Sequence, residues 1–184
     1  MLAKTPKPEL SAPLLWDALL IAFLIGFDVA ARLLPHAPGF MPIAASALFA
    51  GRMLRLPGLA PIVPLAAMAL SGLAMGPEDW RITLIVYGAL ATPALAGAAS
   101  RRWRAVVAPF AVMLPCSLLF FVLSNFAVWA FGDLYSLDWQ GLTQCYIAAL
   151  PFLQNTVAGD MFWTAALFGG AFLAQRLPAL SRSR

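Results

Sequence analysis

The stretch SRRWRAVVAPFAVMLPCSLLFFVLSNFAVWAFGD, residues 100–133, sets Arg101, Arg102 and Arg104 against 26 consecutive uncharged residues from Val106 to Phe131. A helix needs about 20 apolar residues to cross a hydrocarbon core of about 30 Å, so this run is long enough to span a bilayer from a basic inner edge. Three further basic clusters punctuate the chain, Lys4/Lys7, Arg52/Arg55 and Arg176/Arg182/Arg184, and the four together hold ten of its twelve Lys and Arg residues. Short cytoplasmic segments retain positive charge, so with all four clusters inside, the chain crosses twice between each consecutive pair. The expectation is an all-α integral membrane protein: a compact bundle of about six transmembrane helices in one domain over residues 1–184, both termini cytoplasmic.

Composition agrees. With 62% hydrophobic and 11% charged residues and a mean hydropathy of +0.84, the chain lies outside the range of soluble globular domains. The pI near 9.6 follows from arginines at membrane edges, so the expected partner is the lipid bilayer and no nucleic acid. At 184 residues there is no room for a separate soluble enzymatic domain, so function must sit in or between the spans. The N-terminal run resembles a signal peptide only weakly, because Asp28 and Arg32 flank the small pair Ala30-Ala31 where cleavage would fall; it is kept as span one.

Apolar periodicity and breakers place spans at about 14–34, 39–51, 59–75, 82–99, 106–131 and 158–175. The second covers only about 20 Å as a helix, so it must be extended, broken or sheltered by its neighbours. Pro61 and Pro64 fall where a helix starts, whereas Pro93 and Pro115 fall inside spans. Residues 132–157 form the longest connection, and its Tyr135, Trp139, Tyr146 and Phe152 predict a long outer loop between helices five and six, packed as a lid or lying in the interface as a short amphipathic helix.

No Gly-x-Ser-x-Gly, His-Glu-x-x-His or phosphate-binding Gly-rich loop with Lys is present, so no enzymatic activity and no cofactor is expected. Cys116 and Cys145 have no metal-ligand or redox spacing. Polarity concentrates in the outer half. Asp28 and Arg32 share a helix face, which suits an ion pair that lowers the cost of two charges near lipid or one that faces a cavity. Asn125 lies among Phe120, Phe121, Phe126 and Trp129, where its amide needs an interhelical hydrogen bond or a ligand. Asp160 falls in the expected first turn of span six, where it caps the helix with Thr156 or closes an outer-facing site with Asn155, Gln154 and Tyr146. The candidate substrate-binding residues are thus Asn125, Trp129, Tyr146, Asn155, Asp160, Asp28 and Arg32. The row Ala18, Ala22 and Gly26 on span one has the small-residue spacing that lets a partner helix approach, and Ala67/Ser71 and Ala94/Ala98 repeat it.

Ser124-Asn125-Phe126-Ala127-Val128-Trp129, Gly132, Tyr135, Gly141-Leu142, Cys145-Tyr146, Ala148 to Phe152, Asn155-Thr156, Gly159-Asp160 and Phe168-Gly169 resemble the signature of an uncharacterised bacterial family of candidate transport proteins. Pro42-Ile43, Ala47 to Gly51 and Val63-Pro64-Leu65 also fit it, whereas Gly39, Met41 and Gly72 stand where that family tends to carry Asn, Thr and Asp. The family is similar in layout to the membrane-embedded substrate-binding (S) components of energy-coupling-factor vitamin transporters. The resemblance implies a bacterial cytoplasmic (inner) membrane protein that captures a small, vitamin-like solute from outside and meets a separate ATPase and coupling module through helix one. The alternative is a multispan membrane scaffold that organises cell-envelope proteins without transport, with no closed outer cavity.

Overall fold

Backbone amides in an apolar environment must find partners within their own segment, and a helix does this for every interior residue. The computed structural model describes residues 12–76 and 79–181; Lys4, Lys7, Arg182 and Arg184 of the basic clusters, and Glu78, lie outside the described residues. Among the described residues there are six α-helices and no strand: α1 (Ala12–Leu33), α2 (Ile43–Met53), α3 (Ile62–Met75), α4 (Trp80–Ala99), α5 (Ala108–Phe131) and α6 (Trp139–Ser181). Five regions are long and apolar enough to cross a membrane, α3 counting with the 3-10 turn before it as Pro57–Met75, whereas Ile43–Met53 is shorter. The exterior is apolar: Leu114, Leu118, Val122 and Phe126 form an exposed stripe along α5, and Leu73, Leu84 and Leu173 stand out on α3, α4 and α6. Exposed apolar side chains on this many helices suit lipid contact.

The short second helix is sheltered by its neighbours. At 11 residues α2 is about 16 Å long, and it packs most closely on α4 while touching α1, α3, α5 and α6. Ala45, Ala47, Leu48 and Ala50 are fully buried there. The chain reaches α2 through an exposed non-helical connection whose end packs on α6: Gly39 has φ +80°, and a Cβ on it would come within 2.7 Å of the Thr156 hydroxyl. Only glycine takes that conformation at that distance without strain.

Consecutive helices run antiparallel, which puts the two middle arginine clusters at one end. Arg52 closes the C-terminal end of α4, donating to the Ser100 carbonyl at 2.7 Å, the Ser100 hydroxyl at 2.9 Å and the Trp103 carbonyl at 2.7 Å. Arg101 reciprocates at the end of α2, donating to the carbonyls of Arg52 and Leu54. Carbonyls at a helix C-terminus lack intrahelical donors, and guanidinium groups supply them with favourable dipole contact. The buried Asp17 ties α1 to the same end by accepting from the backbone amides of Arg55 and Leu56, at 3.1 and 3.0 Å.

At the opposite end Asp79 caps α4, accepting from the Arg81 guanidinium at 2.7 Å and from its backbone amide at 2.7 Å. These bonds hold its carboxyl at about 2, below the ordinary 3.8. A carboxyl depressed on folding adds stability that is present above about 3.8 and lost as pH falls toward about 2. In detergent, the melting-temperature advantage of the wild type over Asp79→Asn is expected to be constant near neutral pH and to shrink across that acid window.

The long loop five is corrected by the structure. Residues 139–157 are neither a lid nor a separate interfacial helix; they are the first half of α6, and only residues 132–138 connect it to α5. Asp138 starts α6 by accepting from the Gly141 amide at 2.7 Å and the Ser136 hydroxyl at 2.9 Å, which holds its carboxyl below the usual range. Gly141, Cys145 and Ala149, spaced four apart, are all buried, and α6 packs on α5. That spacing keeps the segment helical despite its polar residues.

Candidate functional site

Polar side chains inside an apolar bundle must either partner one another or face a cavity, and the end of the bundle opposite Arg52 and Arg101 shows both outcomes. Asp28, on α1, is fully buried, accepts from Ser46 of α2 at 2.8 Å, and leaves its second oxygen without a protein partner. Asp160, 3% exposed on α6, accepts from Ser117 of α5 at 2.5 Å. Each acidic group thus bridges two helices through a serine hydroxyl.

Asp28 and Arg32 do not form the expected ion pair. Arg32 turns toward α3, and its guanidinium lies 2.9 Å from the Met68 sulfur and 3.4 Å from that of Met75, while its buried Nε has no partner. The sole ion pair among the described residues is Asp79–Arg81. Ser46 explains the difference, since it holds the Asp28 carboxylate on the α2 side.

Arg32, Thr156 and Asp160 line one cavity of about 100 Å³, whose other walls include Gly39, Met41 and Phe120. Arg32 and Met68 also border a wider recess of about 270 Å³ with Gly72, Trp80, Thr83 and Tyr87. Asp160 is not in a helix's first turn: α6 begins at Trp139, so the expected capping role gives way to a position in the helix interior. Thr156 instead donates to the Phe152 carbonyl at 2.9 Å.

The remaining candidates lie elsewhere. Asn125 donates to the Phe121 carbonyl of its own helix at 2.7 Å, an intrahelical bond. Tyr146 donates to the Val122 carbonyl at 2.7 Å, and Trp129 donates to the Ser136 carbonyl at 2.9 Å. These bonds fasten α5 to the start of α6. Tyr146 is 14 residues, about 21 Å of helix, from Asp160, so Asn125 and Tyr146 do not share a site with it. Asn155 is half-buried beside Thr156 and does not line the cavity. Ala18, Ala22 and Gly26 form an exposed row on α1, and no atom beyond its immediate surroundings comes within 4 Å of a Cβ built on Gly26. Both cysteines are free and buried.

Sequence reasoning missed Ser46, Ser117 and Met68, and named Thr156 only as a capping partner of Asp160. Single hydroxyls and methionines in apolar helices carry no local signal, because their roles depend on which helix stands opposite. No curated protein and no solved structure matches this chain. Residues 14–180 match the family of unknown function DUF6580, and since that match covers nearly the whole sequence, the chain belongs to this family.

Proposed function

We propose that this chain is a membrane transport protein that binds a small solute at the end of the bundle opposite Arg52 and Arg101. The observation that carries this reading is the cavity bordered by Arg32, Thr156 and Asp160 inside an otherwise apolar bundle. Charged groups within membrane segments are costly and are retained where they line a solute or ion path.

In this reading the end holding Arg52 and Arg101 is cytoplasmic in a bacterial inner membrane, both termini are inside, and α2 completes a six-segment bundle. The solute reaches the cavity from outside. The chamber of about 100 Å³ is smaller than the roughly 300 Å³ of the smallest ordinary ligand pockets, so a vitamin-like solute needs the neighbouring recess as well. The sequence carries no nucleotide-binding loop, so ATP-driven uptake takes its energy from a separate ATPase and coupling module, for which the exposed Ala18, Ala22 and Gly26 row is the contact.

Native mass spectrometry of the full chain purified from rich medium in gentle detergent is expected to show a small-molecule adduct. Asp160→Ala should lose it, and Asp160→Asn, which keeps the bond with Ser117, should weaken binding at least tenfold while preserving the fold. Absence of any adduct in repeated preparations, with no thermal shift across a broad solute panel, would overturn the transport reading.

A further inference from the structure

Arg32 stands between two spaces: the chamber that reaches Thr156 and Asp160, and the wider recess bordered by Trp80 and Tyr87. Met68 borders both beside it. A guanidinium presents five donors in a planar fork shaped for a carboxylate, yet the side-chain acceptors that hold Arg32 are two thioether sulfurs, which are weak acceptors. Its Nε is buried with no partner at all, and Asp28, one turn away, bonds Ser46 instead. The hydrogen-bonding capacity of Arg32 is therefore largely unused among the described residues.

The chamber's other wall carries the opposite chemistry. Asp160 accepts from Ser117 through one oxygen, and its second oxygen is not among the buried atoms lacking a partner. An unpaired ion transferred into an apolar enclosure is costly, whereas a solute with both charges in the reverse order offers each wall a partner. Arg32 and Asp160 together match a carboxylate at the mouth and a cationic donor deeper in. Bidentate Arg–carboxylate bonds are stronger than contacts to sulfur, so a carboxylate competes well with Met68 and Met75.

We propose, building on the transport reading, that the solute is a small zwitterion of amino-acid type: its carboxylate takes Arg32 from the Met68 and Met75 sulfurs, and its ammonium group reaches Asp160. Arg32 is then both the recognition group and the partition whose movement joins recess to chamber.

The test is equilibrium binding of radiolabelled amino acids to the purified full chain in detergent, set against the matching carboxamides and amines. At least one amino acid should bind, its carboxamide and its decarboxylated amine should each bind at least tenfold more weakly, and Arg32→Gln should lose tenfold or more with partial recovery in Arg32→Lys. Paired Met68→Leu and Met75→Leu substitutions remove the competing sulfurs and should tighten binding severalfold, an effect that misfolding cannot produce. The inference is overturned if no amino acid binds, if the carboxamide binds as well as the acid, or if the methionine variant leaves affinity unchanged. A neutral solute that depends on Asp160 but not on Arg32 would overturn the zwitterion while leaving the transport reading intact; no bound solute of any class would remove both.

Discussion

Gly51→Ala is expected to destabilise the bundle by about 3 kcal/mol, the upper part of the range for overpacking, and Gly51→Val to prevent recovery of folded protein. A Cβ on Gly51 would lie 2.1 Å from the Ala94 carbonyl oxygen and 2.9 Å from the Ala98 amide nitrogen, both backbone atoms of α4. Backbone cannot swing aside as a side chain does, so α2 and α4 would have to part. Since α2 touches every other helix, that separation opens the whole interior. Gly97, whose Cβ would meet the Leu48 carbonyl at 2.5 Å, makes the reciprocal contact from α4. Gly97→Ala should therefore be comparably damaging. The double variant should cost less than the sum, because one separation accommodates both methyl groups. Gly26→Ala, which meets nothing within 4 Å, should be near neutral. Thermal unfolding in detergent compares the four variants; a Gly51→Ala protein as stable as Gly26→Ala would contradict the close helix crossing.

Arg52→Ala is expected to have the next largest effect, roughly 2–4 kcal/mol, from losing charge-assisted bonds that are worth about 1.5–3 kcal/mol each when exposed groups do not compensate. Its guanidinium spans the Ser100 and Trp103 carbonyls, so removal takes the charged donor from both, although Ser100 still accepts from the Trp103 amide. Arg52→Lys should recover less than half of the loss, because one ammonium cannot reproduce a planar fork across two carbonyls. Arg101→Ala should destabilise less, because Arg101 serves the carbonyls of Arg52 and Leu54 while its like charge also opposes Arg52. A double-mutant cycle measured by unfolding separates these contributions. An additive result would show that the two arginines act as independent caps and that the exchange between α2 and α4 is no cooperative unit.

Four of the helices were legible because length and hydropathy suffice for them. The expected boundaries of α1, α3, α4 and α5 fall within about three residues of those observed, since apolar runs of this length end at charges, glycines or prolines. For the second span, the arithmetic of helical rise required extension, a break or shelter, and the structure has a turn at Gly39 followed by a sheltered helix. The α5–α6 region was misread because Gln140, Gln144, Gln154 and Asn155 lower its hydropathy. The buried spacing of Gly141, Cys145 and Ala149, with Asp138 before it, was the helical signal in the same residues.

The sequence by itself determined which segments are apolar, where arginines interrupt them and which charged residues fall inside, because hydropathy and charge are properties of single residues summed along a chain. Only the tertiary structure decided that Asp28 belongs with Ser46, Asp160 with Ser117 and Arg32 with two methionines. A hydrogen bond of about 3 Å tolerates little error in helix rotation or crossing angle, and a rotation of one residue, about 100°, exchanges one partner for another. That precision comes from close contacts such as Gly51 against Ala94, which fix how the helices face one another.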